Sequence, residues 1–158
     1  WLNELAFVPV DYREGAPADE WSGDHGCGVQ YFSQQAVARL APAAGLSFSN
    51  DMKLPERLVA VQKAMAAGDE RAARIYRSIG VYLGYAAAQF ASFYELRHLL
   101  ILGRVTSGPG GEVIVTTANK VLHDEFPEVA ERVKLCTPDE NSKRLGQAVA
   151  AASLPKLK

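Results

Sequence analysis

Residues 69–111 read DERAARIYRSIGVYLGYAAAQFASFYELRHLLILGRVTSGPGG, and this stretch decides the fold. Apolar residues recur in its first half at three- and four-residue steps, which places them on one face of a helix. The predicted buried face consists of Ala72, Ile75, Tyr76, Ile79, Leu83, Ala86, Phe90 and Phe93. The opposite face is also apolar from Ile79 onward, with Val81, Tyr85, Ala88 and Ala91. Asp69 follows Gly68 and is a suitable N-cap. We therefore predict an interior helix that begins at Asp69, fades over residues 95–98 and is covered on all sides in its later turns.

A strand and a glycine-rich turn are predicted to follow this helix. Leu99–Leu102 is a continuous apolar run, too short for a helix, and predicts a strand covered on both faces. Residues 103–111, GRVTSGPGG, then lead into a second helix at Glu112–Phe126, which Pro127 ends. The predicted inner face of that helix is Val115, Ala118, Val121 and Leu122. This is an α/β arrangement, and ligands in such sheets bind at the carboxyl ends of the strands.

The remaining segments complete two predicted regions, a strand and loop excursion at 1–32 and a helical α/β core at 33–158. In the first region, Trp1–Val10 is predicted to be extended or an edge segment because Pro9 cannot donate to a sheet, and residues 12–28 are predicted to be a loop. In the second, the further predicted elements are helices at 34–44 (capped by Ser33 and ended by Gly45), 55–67 and 143–154, and a brief strand at 133–136.

Composition restricts the class of protein. The chain has 158 residues and 48% hydrophobic content, enough for one domain or for one lobe of a larger protein. Its formal charge of −1 excludes a global attraction to nucleic acid or acidic membranes. It contains no apolar run near the roughly 20 residues that span a bilayer and no basic-then-apolar leader. Cys27 and Cys136 lie far apart without a second pair, so we expect a reduced, cytoplasmic location. The chain does not begin with methionine, and we expect it to be incomplete.

Three segments in order resemble a known family. Residues 3–10, NELAFVPV, are similar to a Gly-Glu-Ile-Gly-His-x-x-Val motif. Residues 23–37, GDHGCGVQYFSQQAV, are similar to the block Cys-x-Cys-Gly-x-x-Gly-Cys-x-Glu-x-x-x-Ser. Residues 82–106 resemble the long helix, strand and Gly-Gly-x-Val turn beneath a nucleotide, and residues 145–152 resemble a final Gly-Ala-Ala helix. Together they resemble the ROK family of repressors, open reading frames and kinases, whose catalytic members are sugar kinases of the actin and hexokinase superfamily.

The resemblance implies a fold and an activity. It implies the C-terminal, nucleotide-side part of a ribonuclease H-like lobe of the actin and hexokinase type, helix-rich with a few short strands. The intact protein would transfer the γ-phosphoryl group of ATP to a sugar hydroxyl with Mg²⁺. Gly103, Arg104, Val105 and Thr106 are the expected nucleotide-binding residues, and Glu4 the expected sugar-binding residue. The alternatives are a plain turn at 103–106 and an exposed carboxylate at Glu4; Arg104 would either contact phosphate or obstruct the base.

Departures from the family pattern carry further expectations. The four places of the family's zinc ligands hold Phe7, Glu20, Ser22 and Cys27, so one ligand of four remains and we expect no zinc. His25 and Cys27 are open to two interpretations: a loop histidine with a packed thiol, or part of a site that another chain completes. Two of the three polar groups that bind sugar are replaced by Phe7 and Val29. Such a pocket loses the hydrogen bonds that discriminate between sugars, so either the substrate differs or sugar binding has lapsed.

The family places its phosphate hairpin and catalytic aspartate before the segment that resembles residues 3–10. We therefore expect no catalytic residue in this chain, no catalysis by the chain alone, and an N-terminal lobe as partner. A homo-oligomer is also expected. The alternative is a non-catalytic ROK-family transcriptional regulator or sugar-sensing protein, with nucleic acid as a partner only if a helix-turn-helix lies upstream.

Overall fold

The computed structural model describes residues 4–138, which form a helix-rich α/β arrangement. In chain order the elements are α1 (Val29–Phe32), α2 (Gln34–Ala44), α3 (Leu54–Ala66), α4 (Glu70–Phe93), β1 (His98–Leu100), α5 (Pro109–Glu125), α6 (Pro127–Arg132) and β2 (Lys134–Cys136). Short 3-10 turns occupy Leu5–Phe7 and Arg104–Thr106. The helix predicted at 143–154 lies outside the described residues. No helix within residues 4–138 is both long and apolar enough to cross a membrane.

Helix α4 is the centre of the core. Asp69 caps it by accepting a hydrogen bond from the Arg71 backbone N–H, as predicted. The predicted face is buried from Ala72 through Phe90. Phe93 and Tyr85 were predicted to be covered, and both predictions were wrong: Phe93 is 77% exposed and Tyr85 is 45% exposed. Phe93 is the last residue of the helix, and the Tyr85 hydroxyl donates to the exposed Glu125 carboxylate, so the later turns are not covered on all sides.

Helices α4 and α5 pack at unusually short range because α4 carries glycines at the contact. A Cβ atom on Gly80 would lie 2.6 Å from Thr117 Cβ and 2.7 Å from the Ile114 carbonyl oxygen. A Cβ on Gly84 would lie 2.7 Å from Val121 Cβ. Any side chain at these positions would force the two helices apart. The spacing of four residues places both glycines on the same face of α4.

Helix α5 begins earlier than predicted and presents a different face. Pro109 takes the first helical turn, where proline is favoured, and Gly110 and Gly111 are helical rather than part of the turn. Ile114 is buried with Ala118, Val121 and Leu122, whereas Val115 is only partly buried. Pro127 follows the end of α5 as predicted, but it opens the short α6, which the sequence did not indicate.

The sheet is smaller and more exposed than predicted. β1 and β2 are parallel, with His98 opposite Lys134, Leu99 opposite Leu135 and Leu100 opposite Cys136. The predicted strand is present but spans His98–Leu100, and the prediction that it is covered on both faces was wrong. The strand ends at Leu100, and Leu100 and Leu102 are 53% and 59% exposed. The physical reason is that Leu99 and Ile101 pack against the helical core, whereas Leu100 and Leu102 lie on the opposite face, which no element within residues 4–138 covers.

The N-terminal excursion packs on α4 without forming a regular strand. Residues 5–7 form a 3-10 turn instead of the predicted extended segment. Isolated antiparallel bridges join Pro9 to Cys27 and Ala18 to His25. Gln89 of α4 donates to the Pro9 carbonyl oxygen at 3.2 Å, which fixes the excursion to the core. The predicted α2 is confirmed, with Ser33 Oγ accepting from the Gln35 N–H and Gly45 ending the helix.

Candidate functional site

The candidate nucleotide site is the turn between β1 and α5. Gly103 has φ +111°, a backbone conformation that residues with a side chain rarely adopt. A Cβ at Gly103 would meet nothing within 4 Å, so glycine is required here by the backbone and not by crowding. The turn leaves the carboxyl end of a parallel strand and enters a long helix through Gly108 and Pro109. This is the position at which open α/β sheets bind their ligands.

The four predicted nucleotide-binding residues divide into two pairs. Val105 and Thr106 are buried, and the Thr106 hydroxyl donates to the Gly103 carbonyl oxygen at 2.8 Å. These two side chains therefore hold the turn together. Gly103 and Arg104 are exposed. A ligand at this turn would meet the Gly103 backbone and the Arg104 side chain.

Two glutamines fix the turn to the helical core. Gln62 of α3 donates from Nε2 to the Arg104 carbonyl oxygen at 2.8 Å. The Arg104 guanidinium donates to Gln34 Oε1 at the start of α2, at 3.4 Å. The turn is thus held against two helices, and the Arg104 side chain lies along the protein surface. To bind a phosphate, the Arg104 side chain would have to give up its weak, exposed hydrogen bond to Gln34. The loss of that bond costs little free energy.

A buried hydroxyl lies close to the first turn of α5. Tyr76 is fully buried, and its Oη has no hydrogen-bond partner within residues 4–138. Burial raises the pKa of Tyr76 to about 12. A Cβ on Gly110 would lie 2.4 Å from the Tyr76 ring, so the ring occupies the space that this glycine leaves. An unpartnered buried polar atom is uncommon, and its place beside a helix N-terminus fits a site for a polar or anionic group.

The two segments that resemble the sugar side of the family lie next to each other. The Gly28 N–H donates to the Val8 carbonyl oxygen at 3.0 Å, which joins residues 4–10 to the block 23–37. Glu4 is exposed. Phe7 packs on Trp21 with ring centroids 5.6 Å apart. An aromatic pair therefore occupies the place at which the resemblance predicts a polar group.

His25 and Cys27, the remaining candidates for metal ligands, each have a partner in the loop. His25 Nδ1 lies 3.0 Å from the Ala16 carbonyl oxygen. Cys27 is fully buried, and this burial raises the pKa of its thiol. Across residues 4–138, no three His, Cys, Asp or Glu side chains converge on one point. The interpretation as a loop histidine and a packed thiol accounts for both contacts.

The structure also contains a cavity that sequence reasoning missed. It has a volume of about 240 Å³ and lies between residues 10–13 of the excursion and α4. The polar and aromatic side chains that line it are Asp11, Arg13, Tyr31, Tyr82, Tyr85 and Gln89. The sequence held one signal: Tyr82, Tyr85 and Gln89 follow helical spacing on a face of α4 predicted to be covered.

An ion pair between the buried Asp11 carboxylate and the exposed Arg13 guanidinium organises this cavity. The Asp11 side chain is 8% exposed, and Arg13 donates to it from Nε at 2.9 Å and Nη2 at 2.7 Å. The Tyr31 hydroxyl also donates to Asp11. The hydrogen bonds from Arg13, followed by that from Tyr31, hold the pKa of Asp11 well below its usual range. Burial, with the bond to Asp11, raises the pKa of Tyr31.

Comparison with protein-family models and with curated proteins finds no match for this chain, so its function has to be inferred from the residues and their geometry.

Proposed function

We propose that this chain is the nucleotide-side lobe of a ROK-type sugar kinase with a ribonuclease H-like core. The intact protein would transfer the γ-phosphoryl group of ATP to a sugar hydroxyl. The observation that carries the proposal is the Gly103 turn, which joins the carboxyl end of a parallel strand to the N-terminus of a 17-residue helix. The motifs at 3–10, 23–37 and 82–106 add the resemblance to that family.

The residues of this chain would bind and orient the nucleotide. Gly103 lets the ligand approach the backbone closely because no side chain projects there. Arg104 is exposed and can turn from Gln34 to a phosphate. The N-terminus of α5 favours negative charge. The Tyr76 hydroxyl beside it is buried and has no hydrogen-bond partner among residues 4–138.

When bound, ATP would supply the transferable group and Mg²⁺ would neutralise its developing charge. The catalytic base and the phosphate hairpin would come from the lobe that the family places before residues 3–10. Glu4 would accept a hydrogen bond from the sugar at the cleft between the lobes. The proposal includes a cytoplasmic location, which the free thiols Cys27 and Cys136 support.

A calorimetric titration of the intact protein tests this function. ATP with Mg²⁺ and a panel of hexoses and N-acetylhexosamines should bind with positive coupling. The matched variants are Gly103→Ala and Gly68→Ala, because both glycines have positive φ and neither has an atom within 4 Å of a Cβ. Both should lose about 1 kcal/mol of folding free energy. Only Gly103→Ala should weaken the binding of ATP, and equal affinities in the two variants would reject the site.

A second candidate is a non-catalytic regulator or sugar sensor of the same family. The packing of Phe7 on Trp21 favours it, because that pair removes a polar group from the sugar side. This protein would bind a ligand without ATP hydrolysis or phosphoryl transfer. Product analysis with radiolabelled ATP distinguishes the two: a labelled sugar supports the kinase, and sugar binding without label transfer supports the sensor.

A further inference from the structure

The cavity between residues 10–13 and α4, called the Asp11 cavity from here on, has the charge balance of a site for an uncharged ligand. Asp11 and Arg13 neutralise each other across two hydrogen bonds. Asp11 and Arg13 are the charged residues of the cavity lining, so the lining carries no net charge. A charged ligand would therefore enter without an unmatched opposite charge to compensate its desolvation.

The lining of the cavity favours a ring. Tyr82 and Tyr85 are three residues apart on α4, with the buried Ala86 beside them, so two aromatic rings border a small, apolar floor. Tyr31 is held in place on two sides, by Arg39 and by an edge-to-face contact with Tyr82 at 5.6 Å. Aromatic faces bind flat or apolar ring surfaces. The volume of about 240 Å³ is below that of sites for drug-sized ligands and suits a single ring.

Hydrogen-bonding groups remain available at the wall. Arg13 uses Nε and Nη2 for Asp11, which leaves Nη1 as a donor on a side chain that is 81% exposed. Gln89 uses Nε2 for Pro9 and Tyr12, which leaves its carbonyl oxygen as an acceptor. The fixed positions of both groups mean that little side-chain entropy is lost when a ligand binds.

We infer that this cavity is a binding site for an uncharged, single-ring compound that carries hydroxyl or amide groups. Both a free monosaccharide and a free pyrimidine base have this chemistry. The site does not depend on the proposed kinase function, since neither Glu4 nor residues 103–106 line the cavity.

Titration of the intact protein with two sets of ligands tests the inference. One set contains glucose and N-acetylglucosamine, and the other contains the single-ring bases uracil and cytosine. Tyr82→Ala should weaken binding about tenfold, the loss typical of one removed stacking partner. The control is Phe93→Ala, which removes an exposed aromatic ring from the same helix and should leave the affinity unchanged.

Two further measurements keep the result interpretable. Arg13→Lys retains the charge but loses the paired hydrogen bonds to Asp11, so it should also weaken binding. This variant replaces Tyr82→Ala as the test if Tyr82→Ala does not fold. Gly103→Ala should leave this binding unchanged, which separates it from the nucleotide site. Binding of the first set alone identifies a sugar, and binding of the second alone a base. The inference is overturned if neither set binds, if Tyr82→Ala and Phe93→Ala behave alike, or if glucose 6-phosphate binds more tightly than glucose.

Discussion

The α4–α5 helix pair and the β1–β2 strand pair differ in how completely they bury their apolar residues. Along the helix pair, Ile79, Ile114 and Leu122 are almost entirely removed from solvent. Along the strand pair, Leu100 and Leu102 remain more than half exposed. Parallel sheets occur almost always with both faces covered. The difference teaches that the helices bury their apolar residues within residues 4–138, whereas one face of the sheet is left open. In the proposed two-lobed kinase, further structure would cover that face.

The largest expected effect contrasts the two regions directly. Ile79→Ala should lower the free energy of unfolding by about 3 to 4 kcal/mol, because it opens a cavity in a packed core. Leu100→Ala should cost about 0.5 kcal/mol or less, since that side chain is mostly solvated. Urea denaturation of both variants measures the difference. Similar losses for the two would mean that the sheet is as well buried as the helices.

The close contact of α4 with α5 gives the next effect. Gly80→Leu should cost about 2 to 3 kcal/mol, because a side chain would collide with Thr117 and the Ile114 carbonyl oxygen. Arg74→Leu places the same side chain on the exposed part of the same helix and should change stability by about 0.5 kcal/mol at most. Thermal unfolding of the pair is the measurement. Tolerance of leucine at Gly80 would contradict the short interhelical distance.

A smaller effect, of opposite sign, is expected at Tyr76. Tyr76→Phe removes a buried hydroxyl that has no partner in the described part of the chain, and it should raise the free energy of unfolding by about 1 kcal/mol. The same variant should weaken ATP binding to the intact protein if the hydroxyl serves the nucleotide. Denaturation and calorimetry on one sample report both quantities. A destabilised Tyr76→Phe would show that the hydroxyl already has a partner.

The smallest effect concerns the start of α4 in acid. Hydrogen bonds from the Arg71 side chain, and then from its backbone, lower the pKa of Asp69 from 3.8 to about 2. A carboxyl group with a lowered pKa in the folded state stabilises the protein above its unfolded pKa, and this stabilisation is lost as the pH falls toward 2. Asp69→Asn keeps an N-cap but does not titrate. The melting temperatures of the unmodified protein and of Asp69→Asn should therefore converge between about pH 4 and pH 2. A difference in melting temperature that stays constant over this range would refute the role of the ionised carboxylate.

Much of the helical core could be predicted from the sequence because its determinants are local. Asp69, Ser33 and Gly45 mark helix ends by hydrogen bonds within a few residues. The period of the apolar residues in α4 identified most of its buried face. The early start of α5 was missed because Gly110 and Gly111 are typical of turns, whereas here they are helical and meet Tyr76 and Thr106 at short range.

The exposure of β1 and the Asp11 cavity could not be predicted from the sequence. An apolar run such as Leu99–Leu102 does not specify whether its covering layer lies in the same segment of chain. The cavity depends on contacts between residues far apart in sequence, such as Tyr31 with Asp11 and Gln89 with Pro9. The roles of Glu4 and of residues 103–106 rest on resemblance and stay predictions.

Hydrogen exchange on the intact protein, with and without ATP and Mg²⁺, tests the central claim most directly. The segment 103–111 should exchange more slowly when the nucleotide is present, because its backbone forms the proposed binding surface. The segment 64–70, which contains Gly68, another glycine with positive φ, serves as the internal reference and should not change. Slowed exchange confined to 103–111 is the predicted result, and identical exchange of that segment in both conditions would contradict the assignment of this chain as a nucleotide-binding lobe.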